Sequence, residues 1–329
     1  TLFRSSSEIT ARYKARLLQG DSLADLTGGF GIDCSFLATG FKSATYVERQ
    51  EELCEIAAHN FPVLNLNHIN IKNEDGVTYL QVMSPVDSLF LDPARRNEHG
   101  GKTVAISDCE PNVAELEELL LQKANRVMIK LSPMLDLSLA LKELKQTQEV
   151  HILSVNNECK ELLILLGQTS PAEISIHCVN LFTKGTQKEQ HFVFTREQEQ
   201  CSECTYTDSL ETYLYEPNAS LLKAGAFRSI AAAYPVRKLH PNSHLYTSDT
   251  FIENFPGRIF RIVNQCSFNK KEVKENLADL KKANVTVRNF PATVAELRKR
   301  IHLAEGGDTY LFASTLNNGQ KVLIRCEKV

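Results

Sequence analysis

The 329-residue chain has no apolar run long enough to span a membrane, no secretory signal and no transit peptide. It has no disulfide framework either. Its nine cysteines are scattered and odd in number, which fits a reducing cytoplasm. One C-x-x-C, Cys201-Ser202-Glu203-Cys204, lacks the second pair that a zinc ribbon or finger needs. The histidines form neither H-x-x-x-H nor a Cys/His cluster in sequence, so no catalytic metal is expected. No Gly-Lys-Ser/Thr follows a glycine-rich stretch, which excludes a P-loop. The chain opens on Thr1 and not on Met, consistent with native sequence preceding it. The length is enough to bury sizeable cores without staples, in about two domains.

What is present begins with Asp25-Leu26-Thr27-Gly28-Gly29-Phe30-Gly31-Ile32-Asp33. It lies between an apolar run and a helical pattern, so it reads as strand, tight turn, helix. Glycine lets the backbone of such a turn approach a ligand closely. In doubly wound α/β sheets this turn sits at the carboxyl end of the first strand, where ligands bind. The third glycine of a dinucleotide fingerprint is missing, because Cys34 stands there. The turn opens on a carboxylate, which suits a cationic or amine-bearing ligand better than a phosphate. Glu48 ends the next strand pattern, about where a ribose-binding carboxylate belongs. A third strand, Ile69–Asn73, runs into Glu74-Asp75-Gly76, and a fourth, Val86–Leu91, into Asp92-Pro93-Ala94-Arg95-Arg96.

This ordered set of strand ends resembles the class I S-adenosylmethionine-dependent methyltransferases over roughly residues 20–180. The resemblance implies that Thr27, Gly28 and Gly29, with Gly31 closing the turn, lie against the methionine part of S-adenosylmethionine. It implies that Asp25 reaches the amino group, Glu48 the ribose hydroxyls and Asp75 the adenine amino group. An α/β domain of another kind, with these acids as loop and cap residues, is the competing reading. The fold expected is α/β: a doubly wound, mostly parallel, seven-stranded Rossmann-like methyltransferase sheet with a smaller α+β region at the C-terminus. A helix over 5–18 is expected first. Strands near 22–26, 44–48, 69–73, 86–91, 126–131 and 149–155 then alternate with helices near 33–40, 50–60, 76–83, 112–124 and 136–145. By resemblance, Ile174–Phe182 is strand 7, antiparallel, and His191–Thr195 follows it. Residues 1–200 form this domain, and residues 196–209 read as a polar linker.

The second half differs in charge. From Glu216 to Val329 there are 18 Lys+Arg against 10 Asp+Glu, and in the rest 19 against 30. A basic module joined to an acidic one is the electrostatic footprint of nucleic-acid binding, with an ordinary solvated surface as its bland counterpart. From 257 onward the pattern is βαβαββ. It includes a capping box at Thr293 and Glu296 and a hairpin around Asn317-Asn318-Gly319. Val287-Arg288-Asn289-Phe290-Pro291 and Glu296-Leu297-Arg298-Lys299-Arg300 resemble the THUMP-like C-terminal domain of a bacterial methyltransferase group. In that group a ferredoxin-like segment precedes the domain, here 210–256, and the THUMP-like part spans 257–329. The resemblance implies RNA, of tRNA or rRNA type, as partner, with Arg288, Arg298, Lys299 and Arg300 on phosphates.

Chemistry is expected at Asp92-Pro93-Ala94-Arg95. Methyl transfer from a sulfonium is an in-line displacement, so the protein must chiefly align the nucleophile and exclude water. Amine methyltransferases carry an aromatic residue where Arg95 stands, although an arginine plane also stacks on bases. Pyrimidine C5 methyltransferases carry a cysteine where Ser132 stands, and serine without a base is a poor nucleophile. Attack by an exocyclic or ring nitrogen is therefore expected, with Asp92 accepting its hydrogen bond or proton, and Pro93, Arg95 and Lys130 are counted with it as candidate catalytic residues. Arg95 and Arg96 would meet phosphate or a planar carboxylate. Lys130 would orient the acceptor or pair with Asp92. Arg12 and Lys14 would lid the cofactor or lie on a solvated helix face. A small-molecule methyltransferase with a lid-like or dimerising tail, and a non-catalytic RNA-binding protein on this scaffold, stay open.

Overall fold

A computed structural model describes residues 6–95, with Arg95 as backbone only, and residues 105–329. The chain divides into two compact units, Thr1–Thr195 and Arg196–Val329.

In the first unit the elements run α1 Glu8–Ala15, β1 Ser22–Asp25, α2 Ile32–Leu37, β2 Ser43–Glu48, α3 Glu51–Val63, β3 Ile69–Asn73, α4 Gly76–Val82 and β4 Val86–Leu91. There follow β5 Ala94–Arg95, β6 Cys109–Glu110, α5 Val113–Lys123, β7 Ala124–Leu131, α6 Leu137–Glu143, β8 Thr147–Val155, β9 Glu158–Gly167, β10 Ser175–Leu181 and β11 Glu189–Thr195. Nine strands form one mixed sheet in the order β11-β10-β8-β9-β7-β4-β1-β2-β3. The five strands β3, β2, β1, β4 and β7 are parallel. Strand period-2 alternation sends Leu23, Phe90, Met128, Leu163 and Leu165 to one face, where they pack with Tyr13 of α1 and Leu37 of α2.

Two expectations need correction. The sheet has nine strands, not seven. The antiparallel strand next to β7 is β9, not Ile174–Phe182, which runs parallel to β8 as β10. β9 escapes a sequence reading because Leu162–Leu166 is an unbroken leucine/isoleucine run, buried on both faces of the sheet. Such a run lacks the alternation that marks a half-buried strand. Its turn was nonetheless marked: Asn156 and Asn157 take φ of 50° and 67°, the left-handed pair of a two-residue hairpin.

The second unit comprises α7 Arg196–Cys201, β12 Tyr213–Pro217, α8 Ala219–Ala224, α9 Ser229–Ala233, β13 Arg237–Lys238, β14 Tyr246–Ser248 and β15 Gly257–Ser267. It continues with α10 Lys270–Leu277, β16 Lys282–Val287, α11 Val294–Ile301, β17 Ala304–Thr315 and β18 Lys321–Lys328. Its seven strands form one sheet, β13-β14-β12-β15-β18-β17-β16. The segments before and after residue 257 thus share a sheet through the antiparallel pair β12–β15. On one sheet face Leu311, Ala313 and Leu323 pack with Leu277 of α10 and Leu297 of α11. On the other, Phe312 and Ile324 pack with Leu214, Leu239 and Leu245. The expected linker carries α7 instead. Its Glu199 accepts hydrogen bonds from the backbone N–H groups of Phe227, Arg228 and Ser229, which ties it to the start of α9.

Candidate active site

The carboxyl ends of β1, β2, β4 and β7 open on a cavity of about 630 Å³. Its lining includes Asp25, Thr27, Gly28, Gly29, Glu48, Asp75, Asp92 and Lys130, so the strand ends singled out in the sequence meet in one place. Gly31 sits behind the lining as the residue before α2, with φ of 73°. Gly29 takes φ of 53°, a left-handed conformation that favours glycine.

The turn is held by the acids that it was expected to serve. The Thr27 N–H donates to Asp25 Oδ1 at 3.0 Å, and the Gly29 N–H to Glu48 Oε2 at 2.9 Å. Glu48 Oε1 also accepts from the Gln50 N–H at 2.9 Å. The Tyr46 hydroxyl donates to the Gly29 carbonyl at 2.5 Å. A Cβ on Gly28 would lie 2.2 Å from the buried Tyr46 ring, so the turn has room for glycine only. Thr27 also joins this turn to the strand-4 end, since its Oγ1 accepts from the Asp92 N–H at 2.6 Å. Asp75 is the N-cap of α4, where its Oδ1 accepts from Val77 and Thr78 N–H groups, each at 3.0 Å. The cap role that competed with a ligand role is therefore real for Asp75, and the residue still faces the cavity.

Gly76 was not singled out, yet it sets how closely α4 approaches the turn. A Cβ there would stand 2.1 Å from the Leu26 carbonyl oxygen, a backbone atom that cannot swing away. Gly76→Ala is expected to lower stability by about 1–3 kcal/mol, as overpacking does, and to weaken binding in the cavity. Denaturant unfolding checks the first effect and calorimetric titration the second. An unchanged midpoint would show that α4 shifts freely.

Beneath the cavity lies a buried ion network. Alternation along each strand explains it: Asp25 follows Leu23, Asp92 follows Phe90 and Lys130 follows Met128, two positions on and on the face covered by α1 and α2. Lys130 Nζ is 2.6 Å from Asp92 Oδ2 and 3.0 Å from Asp33 Oδ2. Lys14 Nζ, fully buried, is 3.0 Å from Asp33 Oδ1 and 2.6 Å from Glu161 Oε2. Ser6 Oγ accepts from both ammoniums at 2.8 and 3.1 Å and lies 2.7 Å from Asp33 Oδ2. Lys14 is thus neither a lid nor a solvated residue. Arg12 is exposed and pairs with Glu8 at 2.8 Å.

Burial pushes the Asp25 carboxyl up to about 8. The charges of Asp33 and Asp92 add to this, and the Thr27 N–H opposes it. Asp92 is also raised, chiefly by burial, against the pull of Lys130. Asp33 is lowered, because Lys14 and Lys130 outweigh its burial. Burial disfavours the charge on Lys130, but Asp92, Asp33 and Glu161 together raise it, so it stays an ammonium.

The side chain of Arg95, and Arg96 entirely, lie outside the described residues. Pro93 is buried just past the end of β4. Ser132 Oγ accepts from the Met134 N–H at 3.3 Å and is absent from the cavity lining. In the second unit, Arg288 Nη2 is 3.0 Å from the buried Glu216 Oε1, and Arg298 Nη2 is 3.8 Å from Glu305 Oε1. Lys299 and Arg300 are exposed in the last turn of α11, with Arg300 4.2 Å from the centre of the Phe268 ring.

The neighbouring strands β8 and β10 also bring together Glu149, His151 and His177, a grouping hidden in the sequence because His177 lies far along the chain from the other two. The rings of His151 and His177 stack at 4.2 Å. Their nitrogens meet Tyr13 and Glu149, and Ser175 and His191, respectively. Parallel rings cannot aim in-plane lone pairs at one ion, so the group is a cross-strand hydrogen-bonded ladder.

A family described as a ferredoxin-like domain matches residues 213–256, and one described as THUMP domain-like matches 257–328. A solved structure of a candidate methyltransferase from Porphyromonas gingivalis W83 is 37% identical, with a TM-score of 0.91, over 100% of this chain and 82% of that one. A candidate methyltransferase from Streptococcus mutans, in complex with SAH, is 14% identical over 49% of this chain and 96% of that one, at a TM-score of 0.35. TrmK of M. capricolum, in complex with S-adenosylhomocysteine, is 13% identical over 50% of this chain and 70% of that one, at 0.38. Scores this low add nothing to the assignment. No protein of curated function matches the chain. The Porphyromonas relative spans the whole chain, and the two domain matches fill its C-terminal part. The chain belongs to the class I S-adenosylmethionine-dependent methyltransferases that carry a ferredoxin-like segment and a C-terminal THUMP-like domain.

Proposed function

We propose that this protein is a cytoplasmic enzyme that methylates a base nitrogen in RNA. The observation that carries the chemistry is the position of Asp92, at the cavity wall with its carboxylate held by Lys130. The residues present fit the cofactor. A buried carboxylate of raised pKa, Asp25, suits an ammonium, and Gly28 and Gly29 line the cavity without side chains, so a ligand can approach the backbone closely. Asp25, Thr27, Gly28 and Gly29 would hold its methionine part, Glu48 its ribose and Asp75 its adenine. When bound, S-adenosylmethionine supplies a methyl group already activated for displacement. The chain's own residues orient and desolvate. Asp92 accepts a hydrogen bond or the proton from the attacking nitrogen, and Lys130 fixes the Asp92 carboxylate.

RNA as the substrate rests on the basic THUMP-like unit. Arg288 and Arg298 already have carboxylate partners, so their hold on phosphate is shared. The exposed cations of α10 and α11 lie on helices packed on one sheet face, and they carry most of the reading: Lys270, Lys271, Lys274, Lys299 and Arg300. Nine free thiols suit a reducing compartment.

The test is mass spectrometry of nucleosides from total RNA with and without the enzyme. One methylated base nucleoside should depend on it. Lys299→Glu with Arg300→Glu should weaken RNA binding and flatten its salt dependence, by about 0.7–0.9 in log–log slope for each phosphate no longer neutralised. RNA binding insensitive to salt, together with no enzyme-dependent nucleoside, would leave the small-molecule reading instead. Deleting 257–329 is a poor substitute, because it strips β15 from β12.

A further inference from the structure

We propose that Lys14 is a positioning residue for methyl transfer: through Asp33 it holds the Lys130 ammonium against Asp92. This rests on the methyl-transfer reading for its significance, but its test does not need turnover.

The network alternates in sign along a line, Asp92–Lys130–Asp33–Lys14–Glu161; Asp92, Lys130 and Asp33 line the cavity, Asp92 the most exposed of them, and Lys14 and Glu161 do not. Lys14, on α1, lies outside the cavity lining and is fully buried. A buried ammonium is costly unless it is paired and hydrogen-bonded. Lys14 meets that condition with Glu161, Asp33 and Ser6. Its charge stands 3.0 Å from Asp33 Oδ1, an oxygen that accepts no hydrogen bond among the described residues, while Asp33 Oδ2 accepts from Lys130. Without Lys14, Lys130 alone would balance the Asp33 charge and would be drawn away from Asp92.

The charged groups facing Asp92 are Asp25 from β1, Lys14 from α1, Asp33 from α2, Lys130 from β7 and Glu161 from β9, behind Lys130. Of these, two are cations. Removing one leaves Lys130 alone beside Asp92, Asp33 and Glu161, with Asp25 a fourth charge only once it ionises near pH 8. Asp92 would then hold its proton to higher pH, and an acceptor nitrogen would meet an acid where it needs an acceptor.

The experiment uses the full chain labelled with carbon-13 at the aspartate carboxyl carbons. The Asp92 signal is assigned by its loss in Asp92→Asn. In Lys14→Met the Asp92 titration should move up by about half a pH unit or more, since a cation near a carboxyl favours its charged form by that order. Lys14→Arg, which keeps the charge, should stay near the parent. Asp33→Asn serves if Lys14→Met does not fold. It removes a negative charge and frees Lys130 for Asp92, so the titration should move down. The proposal is overturned if a folded Lys14→Met leaves Asp92 titrating as in the parent, or if Asp33→Asn leaves it unmoved. Failure to find a methylated substrate with these shifts present would count against the proposed reaction and not against the network.

Discussion

Asp92→Ala is expected to lower turnover by about a hundredfold or more, the usual contribution of a positioned acid–base group, while S-adenosylmethionine and RNA still bind. The fold should survive, because Lys130 keeps Asp33 at 3.0 Å and Ser6 at 3.1 Å when its 2.6 Å partner is gone. The conservative variant separates two roles. If Asp92 only accepts a hydrogen bond from an exocyclic amine, the asparagine carbonyl can replace it and Asp92→Asn should keep much of the rate. If Asp92 takes the proton, Asp92→Asn should fall with the alanine variant. Single-turnover transfer of a labelled methyl group to RNA measures both. Normal turnover in Asp92→Ala would remove Asp92 from the chemistry. The raised carboxyl pKa gives a sign to the pH dependence. The rate should fail on the acid side as Asp92 protonates, and that limb should disappear in a variant without the carboxyl.

The cavity was legible in the sequence because its residues lie at strand ends whose spacing is set by βα units. Asp25, Glu48 and Asp92 end or follow apolar strands and Asp75 follows the alternating Ile69–Asn73, all paired in the parallel sheet, and the structure brings all four to one cavity. The network beneath was not legible in the same way. Lys14, Asp33 and Glu161 come from α1, α2 and β9, and only three-dimensional packing brings them within reach of Lys130. Part of the signal was there: Leu23-Ala24-Asp25, Phe90-Leu91-Asp92 and Met128-Ile129-Lys130 all place an ionisable residue two steps beyond an inward apolar one. The unread part was Glu161, which sits at the edge of a leucine run with no alternation to give it a face. The basic tail shows the opposite limit. Its charge count pointed to a cationic surface, but a count cannot tell that Arg288 and Arg258 converge on the buried Glu216.

Cofactor binding should itself depend on pH, because Asp25 is a carboxyl held near pKa 8 in the free protein. An ammonium in contact with it needs the carboxylate, so binding below pH 8 must expel a proton. Affinity should then rise by up to about fiftyfold between pH 6 and pH 8 and level off above, by linkage of one proton to one ligand. Calorimetry in two buffers of different ionisation enthalpy counts the proton released. The same group makes the free protein less stable as pH rises: its folded pKa lies above the unfolded value near 4, so the stability it contributes at acid pH is lost as pH rises through 8. Asp25→Asn should abolish both trends. It should also cost about 2–5 kcal/mol of binding, the range for removing one partner of a buried charge pair. Glu48→Ala should weaken binding without changing the pH profile, although it also releases the Gly29 and Gln50 N–H groups. A flat affinity from pH 6 to pH 8, with a normal response to Asp25→Asn, would mean that Asp25 shapes the turn through Thr27 and does not touch the ligand's charge.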